Sequence, residues 1–346
     1  MRAAAAVALL GAVALPVVRR RLAARGVPKA AILAGTAVAP VAAAVLVPRH
    51  RARAAIICGL QMYAYVYAYK LPNDDEQALA ARVRLDYPIR ADRLLGWGEL
   101  PTVRMQRALH PDGDFHTWEK ALVWAHWVWF ATPQASLVYI YRRDRARFAR
   151  AAVLTYAVFD IGAIGYWALP TAPPWWASEQ GRMGEGALPV RRLMVEYGEG
   201  FWGDRWDMLY AALGGNPLGA MPSLHFATAT MGALLLAETG PVAGAVGGAY
   251  AAVLGFALVY LGEHYVVDLL AGAALTLAVR RGERLAGAPV RAVGALVERV
   301  AAFAQGAGSD AGSAREVVRA EVRVRSWDAP PAEPAADPVP GSQPQA

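Results

Sequence analysis

Long apolar segments restrict the fold of this chain more than any other feature of its sequence. A helix needs about 20 mostly apolar residues to cross the hydrocarbon core of a bilayer. Six segments come close to this length: 54–70, 119–141, 148–169, 223–239, 242–261 and 263–280. The tyrosines of 63–69 alternate as in a strand, but an isolated strand in lipid would leave its backbone groups without hydrogen-bond partners, at several kcal/mol each, so a helix is favoured there. The sequence therefore predicts an all-α, polytopic membrane helix bundle with a six-helix core at 54–284.

Composition and charge agree with a membrane protein. Hydrophobic residues make up 56% of the chain and charged residues 18%, whereas soluble domains average about 25% charged residues. The net charge of +7 could point to nucleic acid, but the arginines stand in short clusters between apolar segments, as in cytoplasmic loops. The clusters expected on the cytoplasmic side are Arg49, Arg51 and Arg53, then Arg142, Arg143, Arg145, Arg147 and Arg150, and finally Arg280, Arg281 and Arg284. No nucleic-acid partner is expected.

The N-terminal region, 1–53, contains two further hydrophobic runs, at 3–18 and 30–47. The basic residues between them are Arg19, Arg20, Arg21, Arg25 and Lys29. If both runs cross the membrane, this basic loop lies outside, against the usual excess of positive charge on the cytoplasmic side. A re-entrant segment around Pro40 or an exception to the rule would each resolve the conflict. The first run also has the character of a signal sequence, but its lack of a clear cleavage site favours a retained anchor.

Two regions outside the predicted spans are amphipathic. Segment 71–118 mixes apolar residues with arginines, which suits helices that lie in the headgroup layer. We expect it to be a solvated, anchoring face; the alternative is that one of its arginines meets a lipid headgroup. Region 285–346 begins as an amphipathic stretch and ends, from residue 328, in a segment rich in Pro, Ala and Glu, a composition that predicts disorder.

Two short motifs stand at the starts of predicted spans. They are Pro222-Ser223-Leu224-His225 and His264-Tyr265-Val266-Val267-Asp268. Residues four apart share one face of a helix, so Asp268 can accept a proton from the His264 imidazole and aim its other nitrogen outward. Pro222 and Ser223 suit the first turn and cap of a helix, whose free N–H groups favour a phosphate beside His225. Together the motifs predict phosphoryl transfer at a membrane face.

These motifs resemble those of the type-2 phosphatidic acid phosphatase superfamily, in which Pro-Ser-x-His precedes His-x-x-x-Asp. Three segments, 170–175, 221–226 and 263–268, are similar to its inositol phosphorylceramide synthase branch. The resemblance covers residues 119–280 and implies a phosphatase-like core of six helices. In that family the histidine matching His264 attacks phosphorus, the aspartate matching Asp268 orients it, and the histidine matching His225 protonates the leaving group. The resemblance implies no metal and no cofactor.

The sequence departs from the family pattern at a Ser-Arg pair expected six and seven residues before the nucleophile. Ala257 and Leu258 stand there instead. A phosphate-binding arginine must then come from elsewhere, because fixed cations stabilise the charge of the transition state. The candidates for phosphate or substrate binding in loop 170–222 are Arg191, Arg192 and Arg205. Ser223, directly after the loop, is a further candidate. Arg191 and Arg192 match the family's first motif best by position; their alternative is a surface pair with Glu196 or Glu199.

Three classes of function fit these residues. The motifs favour a membrane lipid phosphotransferase or phosphatase acting on a lipid phosphate or a phosphoinositol-type substrate, with His264 as nucleophile and His225 as acid and then base. A transporter or channel would use Asp160 and the histidines as a proton relay, which leaves the position of both motifs unexplained. A zinc hydrolase would use His225, His264, Asp268 and Glu263 as ligands, which gives the Pro-Ser pair no purpose.

The motifs do not separate hydrolysis from transfer, because the two reactions differ only in the acceptor, water or another alcohol. The partners expected are a membrane lipid substrate and the bilayer, and the location expected is the cell membrane with the site on the extracytoplasmic side. Two polar residues inside apolar segments are interpreted as structural. Asp160 is expected to pair with a neighbouring helix, and His126, which stands among tryptophans, is expected to be a packing residue.

Overall fold

The computed structural model describes residues 1–110, 114–183, 188–213 and 216–306. Its α-helices are α1 Arg2–Ala24, α2 Lys29–Leu46, α3 Arg51–Lys70, α4 Glu76–Ala80, α5 Asp86–Leu95, α6 Pro101–Leu109, α7 Thr117–Val128, α8 Thr132–Arg143, α9 Arg145–Ala168, α10 Pro174–Glu179, α11 Leu193–Trp202, α12 Trp206–Leu213, α13 Leu224–Ala237, α14 Pro241–Tyr260 and α15 Val266–Ala304. Within these ranges the chain forms two isolated β-bridges and no strand. The predicted all-α fold is confirmed.

Four helices of the described residues are long and apolar enough to cross a membrane: α1, α2, α9 and α14. These helices confirm a polytopic membrane bundle. Helix α13 is apolar but has only 14 residues. The predicted segment 54–70 lies in α3. Of the predicted segment 263–280, residues 266–280 form the first part of α15, which has 39 residues.

The segment 119–141 is not the single spanning helix that its hydropathy predicts. It divides into α7 and α8, and residues 129–131 form turns between them. Pro133 stands in the first turn of α8. Proline is favoured there because its missing N–H group and fixed φ interrupt a helix interior but suit a helix start.

The long helices give the bundle two distinct ends. Near the ends of α3 and α9, the rings of Tyr69 and Tyr166 lie 5.6 Å apart. The Tyr166 hydroxyl donates to the Pro222 carbonyl at 2.8 Å, just before α13 begins. Helix α14 returns to the same end, so the loop that carries His264 also lies there. We call this the histidine end.

The opposite end of the bundle, the arginine end, is held by ion pairs. Arg150 of α9 donates to Glu238, after α13, and to Glu283 of α15. Arg280 also pairs with Glu238, at 2.7 Å. Three helices are therefore joined at the end that the sequence analysis assigns to the cytoplasm.

The N-terminal region forms a hairpin of two full-length helices against α3. The Tyr63 hydroxyl donates to the Val13 carbonyl at 2.6 Å, and the Arg19 guanidinium lies 5.9 Å from the centre of the Tyr67 ring. These contacts put the basic loop between α1 and α2 at the histidine end. Helix α2 runs through Pro40 without a re-entrant turn. The re-entrant segment considered for this region is therefore absent, and an exception to the positive-inside rule stays a prediction.

The amphipathic segment 71–118 covers the histidine end. Ile89 of α5 is buried in an apolar cluster with Trp175 and Tyr265, whereas Trp97 is exposed. One face of the segment therefore packs on the protein near His264, a role beyond the anchoring face predicted from its composition.

Helix α15 continues past the predicted span. Near its end, Glu298 forms ion pairs of 2.9 Å with Arg49 and Arg53, at the loop and start of α3. The amphipathic stretch after residue 285 is thus helical as far as Ala304 and packs against the N-terminal helices. The segment 307–346, with the predicted disordered tail, lies outside the described residues.

The two ends can be assigned to sides of the membrane by cysteine labelling in a Cys58→Ala background. Gln180, after α10, and Arg145, at the start of α9, are both exposed and lie at the histidine and arginine ends. In intact cells, a membrane-impermeant maleimide should label Gln180→Cys at once and Arg145→Cys only after permeabilisation. Arg25→Cys should behave like Gln180→Cys, because α1 and α2 both run the length of the bundle. Labelling of Gln180→Cys and Arg145→Cys from one side would contradict this topology.

Candidate active site

His264, Asp268 and His225 form one hydrogen-bonded line. The His264 Nδ1 atom lies 3.2 Å from Asp268 Oδ2, and its Nε2 atom lies 3.3 Å from His225 Nδ1. An ionised carboxylate only accepts hydrogen bonds, so Nδ1 of His264 carries its proton and Nε2 keeps its lone pair. His225 Nδ1 must then be the donor to that lone pair. The arrangement gives His264 an Nε2 lone pair, which accepts a hydrogen bond, and gives His225 a proton to donate.

The His264–Asp268 pair arises from a helix cap and not from a helix face. His264 precedes α15, and Asp268 is its third residue. The Asp268 carboxylate accepts the Tyr265 N–H at 3.0 Å as well as the His264 imidazole. The predicted pairing is present, but the physical reason is the capping geometry of the first helical turn.

The two motifs are joined through the backbone. The Ser223 N–H donates to the Asp268 carbonyl at 2.9 Å. A Cβ atom on Gly272 would lie 2.6 Å from the Ser223 carbonyl oxygen, so the glycine lets α13 and α15 approach closely. The Ser223 hydroxyl is buried and accepts the Phe226 N–H at 3.3 Å as the N-cap of α13. Ser223 therefore lies at the helix cap expected from the sequence and fixes the position of His225, and its phosphate contact stays a prediction.

Arg192 is held beside the nucleophile loop by three side chains. Its Nε and Nη2 atoms donate to the two carboxylate oxygens of Glu263, at 2.9 and 3.2 Å, and its Nη1 atom donates to the Tyr210 hydroxyl at 2.7 Å. The guanidinium carbon lies 3.9 Å from the centre of the Trp175 ring. Burial opposes ionisation of Glu263, but the Arg192 charge holds the pKa of that carboxyl below its ordinary value. The result is a fixed, charged guanidinium bound to Glu263, the residue that precedes His264.

The other two predicted arginines are not brought to the histidines. Arg191 forms a two-pronged pair with Glu196, which is the alternative that the sequence analysis gave. Arg205 is exposed on a short 3-10 turn, Gly203–Arg205, and none of its described contacts reaches the site. Among the described residues, no group of three or more His, Cys, Asp or Glu side chains is arranged to hold a metal ion.

Comparison with known proteins identifies the region that contains this site. Residues 117–280 match the family model described as PAP2 superfamily. This segment, the PAP2 region, is similar to that superfamily. The comparisons found no matching curated protein and no matching solved structure. The PAP2 match and the long apolar helices support a membrane phosphatase.

Within the PAP2 region, the positions where the family pattern has a Ser-Arg pair are filled by the core. Ala257 and Leu258 are both fully buried in α14. An arginine there would carry its charge into apolar packing, which costs several kcal/mol. The guanidinium of Arg192 instead approaches from the loop, next to Glu263.

A residue outside the PAP2 region also supports the site. Asp92 of α5 is fully buried, and its carboxylate accepts the N–H groups of Val266 and Val267 at 2.8 Å each. Burial raises the pKa of Asp92 to about 6, although the two backbone donors act to lower it. Asp92 thus fixes the first turn of α15, directly after His264. Its sequence context predicted only an interfacial helix and gave no signal of this contact.

The proposed role of Arg192 is tested by Arg192→Lys with Arg191→Lys as the matched control. Lysine keeps the charge but lacks the planar guanidinium of arginine. That group can bind both oxygens of Glu263 and still has N–H donors left for a phosphate. We expect Arg192→Lys to lower kcat about 10²–10³-fold, the usual loss for one transition-state donor, and Arg191→Lys to change it little. The measurement is turnover of a short-chain lipid phosphate in detergent by variants with matched melting temperatures. Equal losses in the two variants would contradict the assignment.

Proposed function

We propose that this chain is an integral-membrane lipid phosphotransferase or phosphatase that works through a phosphohistidine on His264. The observation that carries the proposal is the single line of hydrogen bonds from Asp268 through His264 to His225. A nucleophile needs an adjacent group that orients it, and a leaving group needs a proton donor within reach. In this line Asp268 is the group that orients the nucleophile His264, and His225 is the proton donor on its other side.

The reaction has two balanced steps. The lone pair on His264 Nε2 attacks phosphorus, an N–P bond forms, the P–O bond to the leaving group breaks, and His225 donates a proton to the departing oxygen. In the second step, His225 takes a proton from water or an alcohol, whose oxygen attacks phosphorus while the N–P bond breaks. Asp268 stabilises the charged imidazole of the intermediate. Arg192 supplies positive charge where the phosphoryl oxygens become more negative.

The substrate class proposed is a lipid phosphate or a phosphoinositol-type donor, as in the inositol phosphorylceramide synthase branch. The three segments similar to that branch meet in space. The Trp175 ring packs on Arg192, and the backbone N–H of Trp175 donates to the Gly262 carbonyl at 3.3 Å. Thr171 and Ala220 are also joined by a backbone hydrogen bond of 2.9 Å. This convergence supports a role for segment 170–175 in shaping the substrate site.

The transporter alternative receives less support. Asp160 accepts hydrogen bonds from Gln61 of the neighbouring α3, at 2.9 and 3.3 Å. This is the structural pairing expected from the sequence, and none of its described hydrogen bonds leads to the histidines. Among the function classes considered, phosphoryl transfer alone uses the observed order of the three site residues.

The proposed function is tested by incubating purified protein in detergent with phosphatidic acid, lysophosphatidic acid or phosphatidylinositol, alone and with a ceramide or glycerol acceptor. Free phosphate from the first two donors is the result expected of a phosphatase, and a new phosphodiester lipid is the result expected of a transferase. A parallel arm with EDTA should retain activity, because side chains supply nucleophile, acid and positive charge. No product from any donor, or activity lost in EDTA and restored by zinc or magnesium, would contradict the proposal.

A further inference from the structure

The turn between α7 and α8 brings two rings against His225. The Trp129 ring centre lies 4.0 Å from that of His225, and the His126 ring centre lies 5.0 Å away. The remaining ring neighbour is His264, at 5.5 Å. His225 is therefore enclosed by side chains from α7 and its following turn on one side and by the nucleophile on the other.

The Trp129 ring is itself fixed to the helix that carries His225. Its indole N–H donates to the Thr228 hydroxyl at 2.9 Å, and Thr228 follows His225 by one turn of α13. Thr228 in turn donates to the Leu224 carbonyl at 2.7 Å. Trp129 is buried in the core. The indole thus has one orientation, and that orientation presents the ring to His225.

The two neighbouring histidines oppose a charge on His225, and the contact with Trp129 acts in the opposite direction. The face of an aromatic ring attracts a cation whose centre lies within about 6 Å. The titratable groups that face His225 are His126 and His264, and Asp268, Arg192 and Glu263 lie behind His264. A proton on either neighbouring histidine would repel a proton on His225. Trp129 is therefore the contact that stabilises the charged ring.

We propose that Trp129 is a positioning residue for the general acid: it holds the His225 ring in place and stabilises its protonated form, so that the proton reaches the leaving oxygen. The inference rests on the proposed function and adds a residue that the family motifs lack. His126, whose two ring nitrogens are buried without hydrogen-bond partners, completes the enclosure from α7. Trp129 keeps helical backbone angles as the C-cap of α7 and follows His126 by three residues, so both rings lie on the same face of that helix.

The test compares Trp129→Leu with Trp129→Phe on two esters. Dioctanoyl phosphatidic acid has a poor leaving group that needs a proton, and 4-nitrophenyl phosphate has one that leaves without it. We expect Trp129→Leu to slow single-turnover cleavage of the lipid about 10²-fold, as misplaced catalytic groups do, and to leave the first-turnover release of nitrophenolate nearly unchanged. Trp129→Phe should keep most of the lipid activity, because it retains an aromatic face.

Two comparisons separate a positioning role from simple packing. Trp124→Leu is the matched control, because Trp124 packs on Trp127 and Phe201 and not on His225, and it should leave both esters unaffected. In a His225→Ala background, Trp129→Leu should cause no further loss, since a residue acting through His225 has nothing left to act on.

Two outcomes would overturn the inference. Equal losses on both esters in Trp129→Leu, or full additivity with His225→Ala, would make Trp129 a packing residue and leave the proposed function intact. If His225→Ala itself affects both esters equally, the assignment of the acid fails and this inference fails with it.

Discussion

His264→Ala should abolish turnover of every substrate and the formation of any phosphoenzyme. The imidazole supplies the Nε2 lone pair that is assigned to attack phosphorus, and Asp268 holds the opposite nitrogen of the ring. The measurement is rapid acid-free quench with radiolabelled phosphatidic acid, followed by a search for an alkali-stable, acid-labile label on the protein, as expected of phosphohistidine.

Asp268→Asn should lose only part of the activity that His264→Ala loses completely. Asparagine keeps the shape and an acceptor oxygen, so the ring stays in place, but the charge that stabilises the protonated and phosphorylated imidazole is lost. We expect turnover between those of His225→Ala and His264→Ala, with labelled protein still detectable. Label of normal amount on His264→Ala would show that another residue is the nucleophile.

The residue pairs that depend on local geometry could be predicted from the sequence. His264 and Asp268 are separated by four positions at the start of an apolar segment, a spacing that brings them together on a helix face or in a cap. The link to His225 came from the family resemblance, since nothing local relates residues 39 positions apart. The apolar runs predicted the all-α membrane fold because lipid offers the backbone no hydrogen-bond partners, so a spanning segment must satisfy its own N–H and C=O groups within a helix.

The contacts that complete the site could not be predicted in this way. Asp92 lies 174 positions before the N–H group that it accepts, and its selection depends on how α5 packs on the histidine end. Arg192 could be named as a candidate, but its partners Trp175, Tyr210 and Glu263 come from three separate segments. Tertiary packing alone decides such contacts.

One error had a signal in the sequence. Segment 119–141 has the hydropathy of a single span, and Pro133 in its middle indicated a helix start. A hydropathy average over the segment does not detect a single proline, but the missing N–H group and fixed φ of that proline still interrupt a helix. The break directly follows Trp129, the residue whose ring contacts His225.

His225→Ala should show the second large effect, and that effect should depend on the leaving group. Loss of a positioned proton donor costs typically 10²–10⁴-fold, so turnover of phosphatidic acid should fall by about this factor. With 4-nitrophenyl phosphate, the leaving oxygen departs without a proton, and the burst of nitrophenolate from the first turnover should recover most of the normal rate.

The steady state should remain slow even with the activated ester, because His225 also acts as the base that admits water or an alcohol to the phosphoenzyme. His225→Ala should therefore accumulate labelled protein after the burst, whereas His264→Ala should give neither burst nor label. The contrast assigns the two histidines separately: His264 forms the bond to phosphorus, and His225 moves protons before and after it. If the activated ester instead rescues His264→Ala and not His225→Ala, the nucleophile and the acid must be exchanged in the mechanism.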